Sequence, residues 1–557
     1  MKDKIAGTGA AELARCLKQM GVKRVFGLCA DQTNSVFYAL ALEEIEIIGT
    51  RHETGAVHMA EGWARATGEP AVVIVGGGPG FINAVTGIAV AQWSATPVIV
   101  IAGQPPLRTR DRNGHQIIYQ ADIVRSLTKW SQEVAHPNIV AEFLARAFQI
   151  ATSGKPGPVC LSIPLDVMDG SVDESARGYR VYPAARRVGA STVSGGAVES
   201  TLAMLNRAMR PVMIIGSTAC WEGAQSRLAQ LVGALGIPAF TFEAARGLIP
   251  DDGESCFGYA HSNYNMTFRE LKDADLIVLA GAEMAQHTSE GKRPLIGADT
   301  QIIQIHPDAE QIGICKASDA AIIAPVTAGL AALDAGLAAT ARQRQRAWLD
   351  HMRAKYAADR KEIEAMPAKL SAGNAAIHPL SICASFRRHL TDRIRIAIDG
   401  GDFANWARIY FQARRPGYCF DKSEMGSLGI SLPIGIGAQL GNPAEQTWVF
   451  IGDGGFGFNG LELSTAVEFK LPLKVIVGND QGWGVERRLQ KAHYGRSIAA
   501  DLPDIRYDRL AEVLGATGMH VDDPAQLDRV VDEFVALKGP ALLNVTMQRE
   551  AGRAFVN

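Results

Sequence analysis

A chain of 557 residues with 47% hydrophobic, 20% charged and 7% aromatic residues has an ordinary globular composition and enough length for several cores. Lys+Arg 56 against Asp+Glu 58 leaves a net charge of −2, which argues against a nucleic-acid coat or a polybasic membrane anchor. No stretch reaches the ~18 uncharged apolar residues of a membrane span, the first residues carry no apolar leader core, and eight scattered cysteines form no CxxC pair, so the expectation is a cytoplasmic protein with reduced thiols and no structural zinc.

Helical spacing over 8–20 is followed by a β-branched run at 22–27. A helix is predicted over 32–43, a strand at 45–48 and a helix at 53–67. A strand at 71–75 ends in Gly76-Gly77-Gly78-Pro79-Gly80; a helix at 81–92 and a strand at 97–102 follow. Continuous apolar strands alternating with helices indicate a parallel sheet covered on both faces. The stretch 170–197 is polar and irregular and reads as a linker. A second unit has helices at 197–208 and 222–235 and strands at 212–215, 238–241, 276–280 and 302–305. Residues 341–372 are charged and helical, and loosen at 371–374 into a second linker. A third unit has strands at 394–398, 447–451, 473–477 and 541–545 and helices at 459–470, 507–517 and 524–536. The fold class is therefore α/β, with three doubly wound parallel-sheet domains laid out as 1–180, 190–340, a helical linker at 341–375, and 376–557. Open α/β sheets bind ligands at the carboxyl ends of their strands, which directs the search to the Gly-rich turns after 75 and 451.

The strongest local signal is Gly452-Asp453-Gly454-Gly455, followed later by Gly478-Asn479-Asp480-Gln481-Gly482, each after an apolar strand. Asp453 and Asn479 are 26 positions apart (479 − 453), one helix plus one strand, so the two loops emerge side by side at one sheet edge. Asp453, Asp480 and the Gly482 carbonyl can supply the oxygen ligands that Mg²⁺ prefers when it also takes substrate phosphates. The glycines let backbone N–H groups and the next helix N-terminus face a phosphate. Taken singly, each motif is also readable as a plain turn.

In the first unit, Glu53 opens a helix of small and apolar residues after Arg51-His52. Partial desolvation there would raise its pKa and let it share a proton with a ring nitrogen; the alternative is a first-turn acid complementing the helix dipole. Together these segments resemble the thiamine-diphosphate enzymes, whose signature is Gly-Asp-Gly followed by Asn-Asn, with an Arg-His-Glu-x-x-Ala segment near the start. The likeness runs on through Gly76–Ala84, Thr96–Gly103, Thr128-Lys129-Trp130 and Gly157–Pro164 and covers nearly the whole chain. One departure stands out: the second Asn of the signature is Asp480 here.

The resemblance names the three units pyrimidine-binding, central and diphosphate-binding. It implies thiamine diphosphate and Mg²⁺ as cofactors, with Asp453, Asp480 and Gly482 on the metal. Pro79, Asn83, Gly426, Leu428, Gly452, Gly454, Gly455 and Trp483 would surround the cofactor. Glu53 would bond the aminopyrimidine nitrogen and so activate the thiazolium C2, Leu428 would be the wedge that bends the cofactor, and the Gly426 carbonyl would accept from its amine. Leu428 is alternatively a core residue. In the family the activating Glu and the metal motif come from different subunits, which implies a homodimer at minimum and a homotetramer as the assembly.

For substrate, Gln116 aligns with a glutamine of the acetolactate synthase, benzaldehyde lyase and acyl-CoA lyase branch. Gln32 stands where benzaldehyde lyase has an acid–base His; an amide orients but does not shuttle protons. His115 beside Gln116 can titrate near neutrality. Glu486, one helical turn past the metal loop, matches the proton-relay Glu of 2-oxoacid decarboxylases as a buried acid, or else pairs with Arg487-Arg488 at the surface. Arg487, Arg488, Lys491, His493 and Arg496 form a basic tract suited to acyl-CoA phosphates or to a solvated helix face, and residues 548–557 read as a short tail that could act as a lid. Relatives hold FAD or ADP in the central unit, so either is an expectation of the resemblance here; His306 replaces the typical Asp, which weakens that expectation without excluding it. The resulting expectation is a reversible C–C lyase and carboligase acting on a 2-hydroxyacyl-CoA or 2-hydroxyketone through an enamine. Its rivals are an acetolactate synthase-type or 2-oxoacid decarboxylase that releases CO₂, and a non-catalytic cofactor-binding homologue, against which intact Glu53, Asp453 and Leu428 argue. A small-molecule substrate is implied, with no nucleic acid and no membrane.

Overall fold

The computed structural model describes residues 5–173, 175–176, 193–223, 225–371, 375–421 and 424–552. Most of the linker expected over 170–197, the loosening at 372–374 and the last residues of the expected tail lie outside these. The described chain carries three six-stranded sheets, each wholly parallel. By packing, it separates into two compact units.

The first unit comprises 1–188, 423–443 and 459–471. Its sheet has the order β2-β1-β3-β4-β6-β5, formed by β1 (Arg24–Gly27), β2 (Glu46–Gly49), β3 (Ala71–Val75), β4 (Val98–Gln104), β5 (Trp130–Glu133) and β6 (Val159–Pro164). The strands β3, β4 and β6 are buried along their whole length, as their largely apolar runs require when helices cover both faces. Helix α1 (Glu53–Thr67) starts where His52 Nδ1 accepts from the Thr54 N–H and stops at left-handed Gly68. Helix α2 (Pro79–Trp93) begins on a proline whose missing N–H costs nothing at that position.

The second unit comprises 189–422, 444–458 and 472–557. One of its sheets has the order β12-β11-β10-β7-β8-β9, from β7 (Pro211–Ile215), β8 (Ala239–Thr241), β9 (Cys256–Tyr259), β10 (Leu276–Ala280), β11 (Gln301–His306) and β12 (Ala320–Ile323). The charged stretch after it is one 33-residue helix, α3 (Ala339–Ser371). The other sheet has the order β14-β13-β15-β16-β18-β17, from β13 (Ile394–Ile398), β14 (Cys419–Asp421), β15 (Gln446–Gly452), β16 (Lys474–Asn479), β17 (Thr517–Val521) and β18 (Ala541–Thr546).

In the first unit, helix α4 (Ser431–Gly441) lies along α1. The crossing is close because glycines face backbone: a Cβ on Gly437 would lie 1.8 Å from Met59 O, and one on Gly62 2.0 Å from Ile434 O. Beyond β15 come α5 (Asp453–Asn459) and, after a short 3₁₀ turn at Gly460–Glu462, α6 (Leu463–Glu468), where one helix over 459–470 is expected from sequence. The loop after β16 leads into α7 (Gly484–Tyr494). No helix among the described residues is long and apolar enough to cross a membrane.

Candidate active site

The residues singled out from sequence fall into two groups, one in each unit. In the first unit, Glu53 is 8% exposed and its Oε2 accepts from Asn83 Nδ2 at 3.0 Å. A Cβ on Gly80 would lie 3.0 Å from Glu53 Oε1, so the turn around Pro79 is glycine-lined where it approaches the carboxylate. A buried acid fixes the start of this helix. Glu462 is 1% exposed, and its Oε1 accepts from the backbone N–H groups of Arg51 at 2.9 Å and His52 at 3.0 Å. Its other oxygen accepts from Thr465 Oγ1 at 2.8 Å. Burial raises the Glu462 pKa, and the Thr465 and backbone donors pull it back. Arg51 adds a bond to Ser464 and an ion pair with Glu468, so α6 clasps the residues leading into Glu53. Sequence reasoning missed Glu462. Its signal was an acid flanked by leucines in Gly460-Leu461-Glu462-Leu463, ahead of Thr465.

Gln32 and Gln116 meet, although they are 84 positions apart: Gln32 Nε2 donates to Gln116 Oε1 at 2.7 Å. Gln116 adopts φ +62°, a conformation that costs a non-glycine residue ~1–3 kcal/mol and concentrates at functional sites. Gly78, at φ +58°, lies beneath it, where a Cβ would meet Gln116 Cβ at 2.7 Å. The Gln116 amide donor has no acceptor among the described residues. His115, beside Gln116 in the chain, is exposed. Leu428 is half-buried and Gly426 is exposed at φ +70°, in a loop tied down where Asn459 Nδ2 donates to the Gly429 carbonyl at 2.9 Å.

In the second unit, the ends of β15 and β16 lie side by side, with Gly452 paired to Gly478. Asp453 is 2% and Asp480 6% exposed, and their carboxyl groups lie close enough to interact. Burial, and then the Asp453 carboxylate, push Asp480 up to about 7. Asp453 is raised too, by burial, while the Gly454 and Gly482 N–H groups draw it back. The Gly482 N–H donates to Asp453 Oδ2 at 3.0 Å. Two buried carboxyls side by side suit a divalent ion that takes its remaining ligands from phosphates. Glycine is demanded at 454 and 455: a Cβ would lie 2.5 Å from the Trp483 ring at the first and 2.3 Å from Asp399 Oδ2 at the second. Nothing lies within 4 Å of a Cβ built on Gly452, which leaves open space beside the acid pair.

Two expectations about α7 change. Glu486 is exposed in this chain, because consecutive helix residues point about 100° apart and Arg487 takes the inward position. It is not the buried acid expected, nor does it pair with the arginines: Arg487 pairs with Asp480 and Asp501, and Arg488 with Asp402. Arg487, expected at the mouth of the site for substrate phosphates, is only 2% exposed and lies inside the metal loop. Lys491 pairs with Glu550, while His493 and Arg496 are exposed, so the tract is not one basic patch.

In the middle sheet, His306 is fully buried; its Nε2 lies 3.2 Å from Thr218 Oγ1 and 3.4 Å from Glu283 Oε1, and its Nδ1 faces the Asp308 backbone. Both ring nitrogens are engaged by protein. A Cβ on Gly216 would lie 2.3 Å from Gly281 O, so the loops after β7 and β10 touch at the switch point.

Three family profiles match the chain: the N-terminal TPP binding domain of thiamine pyrophosphate enzymes over residues 7–123, their central domain over 198–333, and their C-terminal TPP binding domain over 399–545. The chain belongs to the thiamine pyrophosphate enzyme family. Glu53, Asn83 and Gln116 fall in the first matched domain, and Asp453, Asp480 and Gly482 in the last. The chain is 31% identical to an acetolactate synthase of Bacillus subtilis (strain 168) over 555 residues, 98% of this chain and 94% of that protein. It is 28% identical to a sulfoacetaldehyde acetyltransferase of Alcaligenes xylosoxydans xylosoxydans over 567 residues, 96% of this chain and 92% of the other. It is also 28% identical to a 2-hydroxyacyl-CoA lyase 2 of Bos taurus over 587 residues, 97% and 90% respectively. The family, its cofactor class and its α/β layout are thus as the sequence motifs indicate.

Proposed function

We propose that this thiamine-diphosphate enzyme is a reversible C–C lyase and carboligase, acting on a 2-hydroxyacyl-CoA or 2-hydroxyketone at the bond between the carbonyl carbon and the hydroxyl-bearing carbon. When bound, the cofactor supplies a nucleophilic carbon and an electron sink for that bond. Asp453, Asp480 and the Gly482 carbonyl hold Mg²⁺; Gly452, Gly454, Gly455 and Trp483 border the diphosphate. Glu53 keeps a proton on the pyrimidine nitrogen, with Asn83 orienting its carboxylate and Pro79 shaping the turn beside it. Leu428 supports the bent cofactor and the Gly426 carbonyl accepts from its amine. Glu486 is the candidate acid–base group, reached from solvent. The site is completed between two protomers of a homodimer, with a homotetramer as the proposed assembly.

The observation that carries this reading is the Gln32–Gln116 pair. Two amides recognise neutral hydroxyl and carbonyl oxygens, with the Gln116 N–H₂ available as a donor. The likeness to the bovine 2-hydroxyacyl-CoA lyase 2 supports the same substrate class. The second reading, an acetolactate synthase-type enzyme that releases CO₂, is supported by the 31% identity to the Bacillus subtilis protein. A substrate panel with thiamine diphosphate and Mg²⁺ separates them. Cleavage of a 2-hydroxyacyl-CoA into formyl-CoA and an aldehyde one carbon shorter supports the lyase; CO₂ from pyruvate without thioester cleavage selects the synthase.

A further inference from the structure

Asp480 stands where the family signature has a neutral asparagine. A second carboxylate beside Asp453 adds a negative charge against the diphosphate that the loop has to hold, at a depth where water screens it poorly. The structure answers that charge within the same loop. Arg487, in the first turn of α7, is 2% exposed. Its Nη1 lies 3.3 Å from the Asp480 carbonyl and 3.5 Å from Asp480 Oδ2, and its Nη2 donates to the Gln481 carbonyl at 2.6 Å. Its Nε is 3.0 Å from Asp501 Oδ1. Gly482 is glycine for this reason: a Cβ there would lie 1.7 Å from Arg487 Nη2. The neighbouring cation is already committed, since Arg488 Nη2 donates to both oxygens of Asp402 at 2.9 and 3.1 Å.

We propose that Arg487 is a positioning residue that acts through Asp480: the buried Asp480–Arg487 pair takes the place of the neutral asparagine, balancing the loop's charge while the guanidinium fixes the carbonyls of 480 and 481. The proposal rests on the Mg²⁺–thiamine diphosphate reading above. It has a distinctive signature, because removing one partner of a buried ion pair is costly whereas replacing both with neutral groups is close to neutral. Arg487→Met strands the Asp480 charge, Asp480→Asn leaves the buried guanidinium with only the exposed Asp501 as a carboxylate partner, and the double variant restores the family's neutral arrangement.

The test is a double-mutant cycle on the full-length protein saturated with thiamine diphosphate, titrated calorimetrically with Mg²⁺, alongside thermal unfolding of the cofactor-free forms. Each single variant is expected to lose roughly 10-fold or more in Mg²⁺ affinity, and D480N/R487M to return to within about 3-fold of the parent. Losses that add in the double variant, or single variants within about 2-fold of the parent, overturn the proposal. So does a purely structural pattern in which only the unfolding midpoint falls. Should the single variants fail to fold, the double variant decides: folding with near-parental affinity supports the pair, and misfolding or weak binding overturns it. If the parent itself does not bind Mg²⁺ with thiamine diphosphate, the underlying reading fails, and that is seen before any variant is made.

Discussion

The Glu53 carboxylate is oriented by one side-chain donor, Asn83, and by the start of the helix it opens. Glu53→Gln keeps the size and the Asn83 contact but cannot share the pyrimidine proton. It should therefore bind thiamine diphosphate within a few-fold of the parent while turnover falls ~10²–10⁴-fold. Proton NMR of C2 exchange on the bound cofactor checks this, and exchange at the parental rate would reject the role. Glu462 sets that helix start from 409 positions away (462 − 53). Glu462→Ala leaves the Arg51 and His52 backbone donors without their carboxylate acceptor, hydrogen bonds to a charged group worth ~1.5–3 kcal/mol each. Turnover should drop with Glu53 misplaced, and Glu462→Gln, which still accepts, should recover most of it; hydrogen exchange at the Arg51 and His52 amides reads the local effect directly. This is also where the sequence is least transparent. Asp453, Asp480 and Glu53 stand in motifs whose spacing speaks for itself. Glu462 acquires its meaning only through a contact between distant segments. Arg487 looks like part of a surface tract until the phase of α7 turns it inward.

Among the elements, β10, β13, β3 and α1 lie where the residue pattern puts them, because uninterrupted β-branched runs and clear caps leave little choice of ends. Strands β9, β12 and β14 have three or four residues each, too few for a period to show. Residues 507–517 read as one helix but stop at Val513: Gly515 takes φ +90° and Thr517 begins β17. The helix α4 is hidden by its own composition, SLPIGIGAQLG, since glycine and proline oppose a helix locally. Tertiary packing overrides that, and the glycines are needed because α1 comes within contact of the backbone there. Gly437→Ala should destabilise the protein by ~1–3 kcal/mol through overpacking against Met59 O, seen as a lower midpoint in urea. A surface glycine such as Gly21, with nothing within 4 Å of a Cβ but φ +86°, serves as the comparison for a purely conformational cost.

At the scale of the molecule, the candidate residues fall in two groups: Glu53, Gln32, Gln116, Gly426 and Leu428 belong to one compact unit, and Asp453, Asp480, Gly482 and Trp483 to the other. Three sheets of one architecture were legible because each strand–helix rhythm is local; the exchange of 423–443 and 459–471 into the first unit was not, since it depends on which surfaces meet. Ligands that bind only the native state stabilise it in proportion to the logarithm of their concentration over Kd, about 2.7 kcal/mol at a hundredfold excess. Mg²⁺ with thiamine diphosphate should therefore raise the unfolding midpoint by a few degrees, and chelation by EDTA should reverse the shift. An Asp453→Ala variant should show neither change. The most direct measurement is subunit complementation between E53Q and D453A. Each variant alone should be inactive. Mixed dimers would carry one site with both residues intact, so random assortment should restore about a quarter of the parental activity. Recovery at that level is the predicted result; mixed dimers as inactive as either parent variant would contradict a site shared between Glu53 of one protomer and Asp453 of its partner.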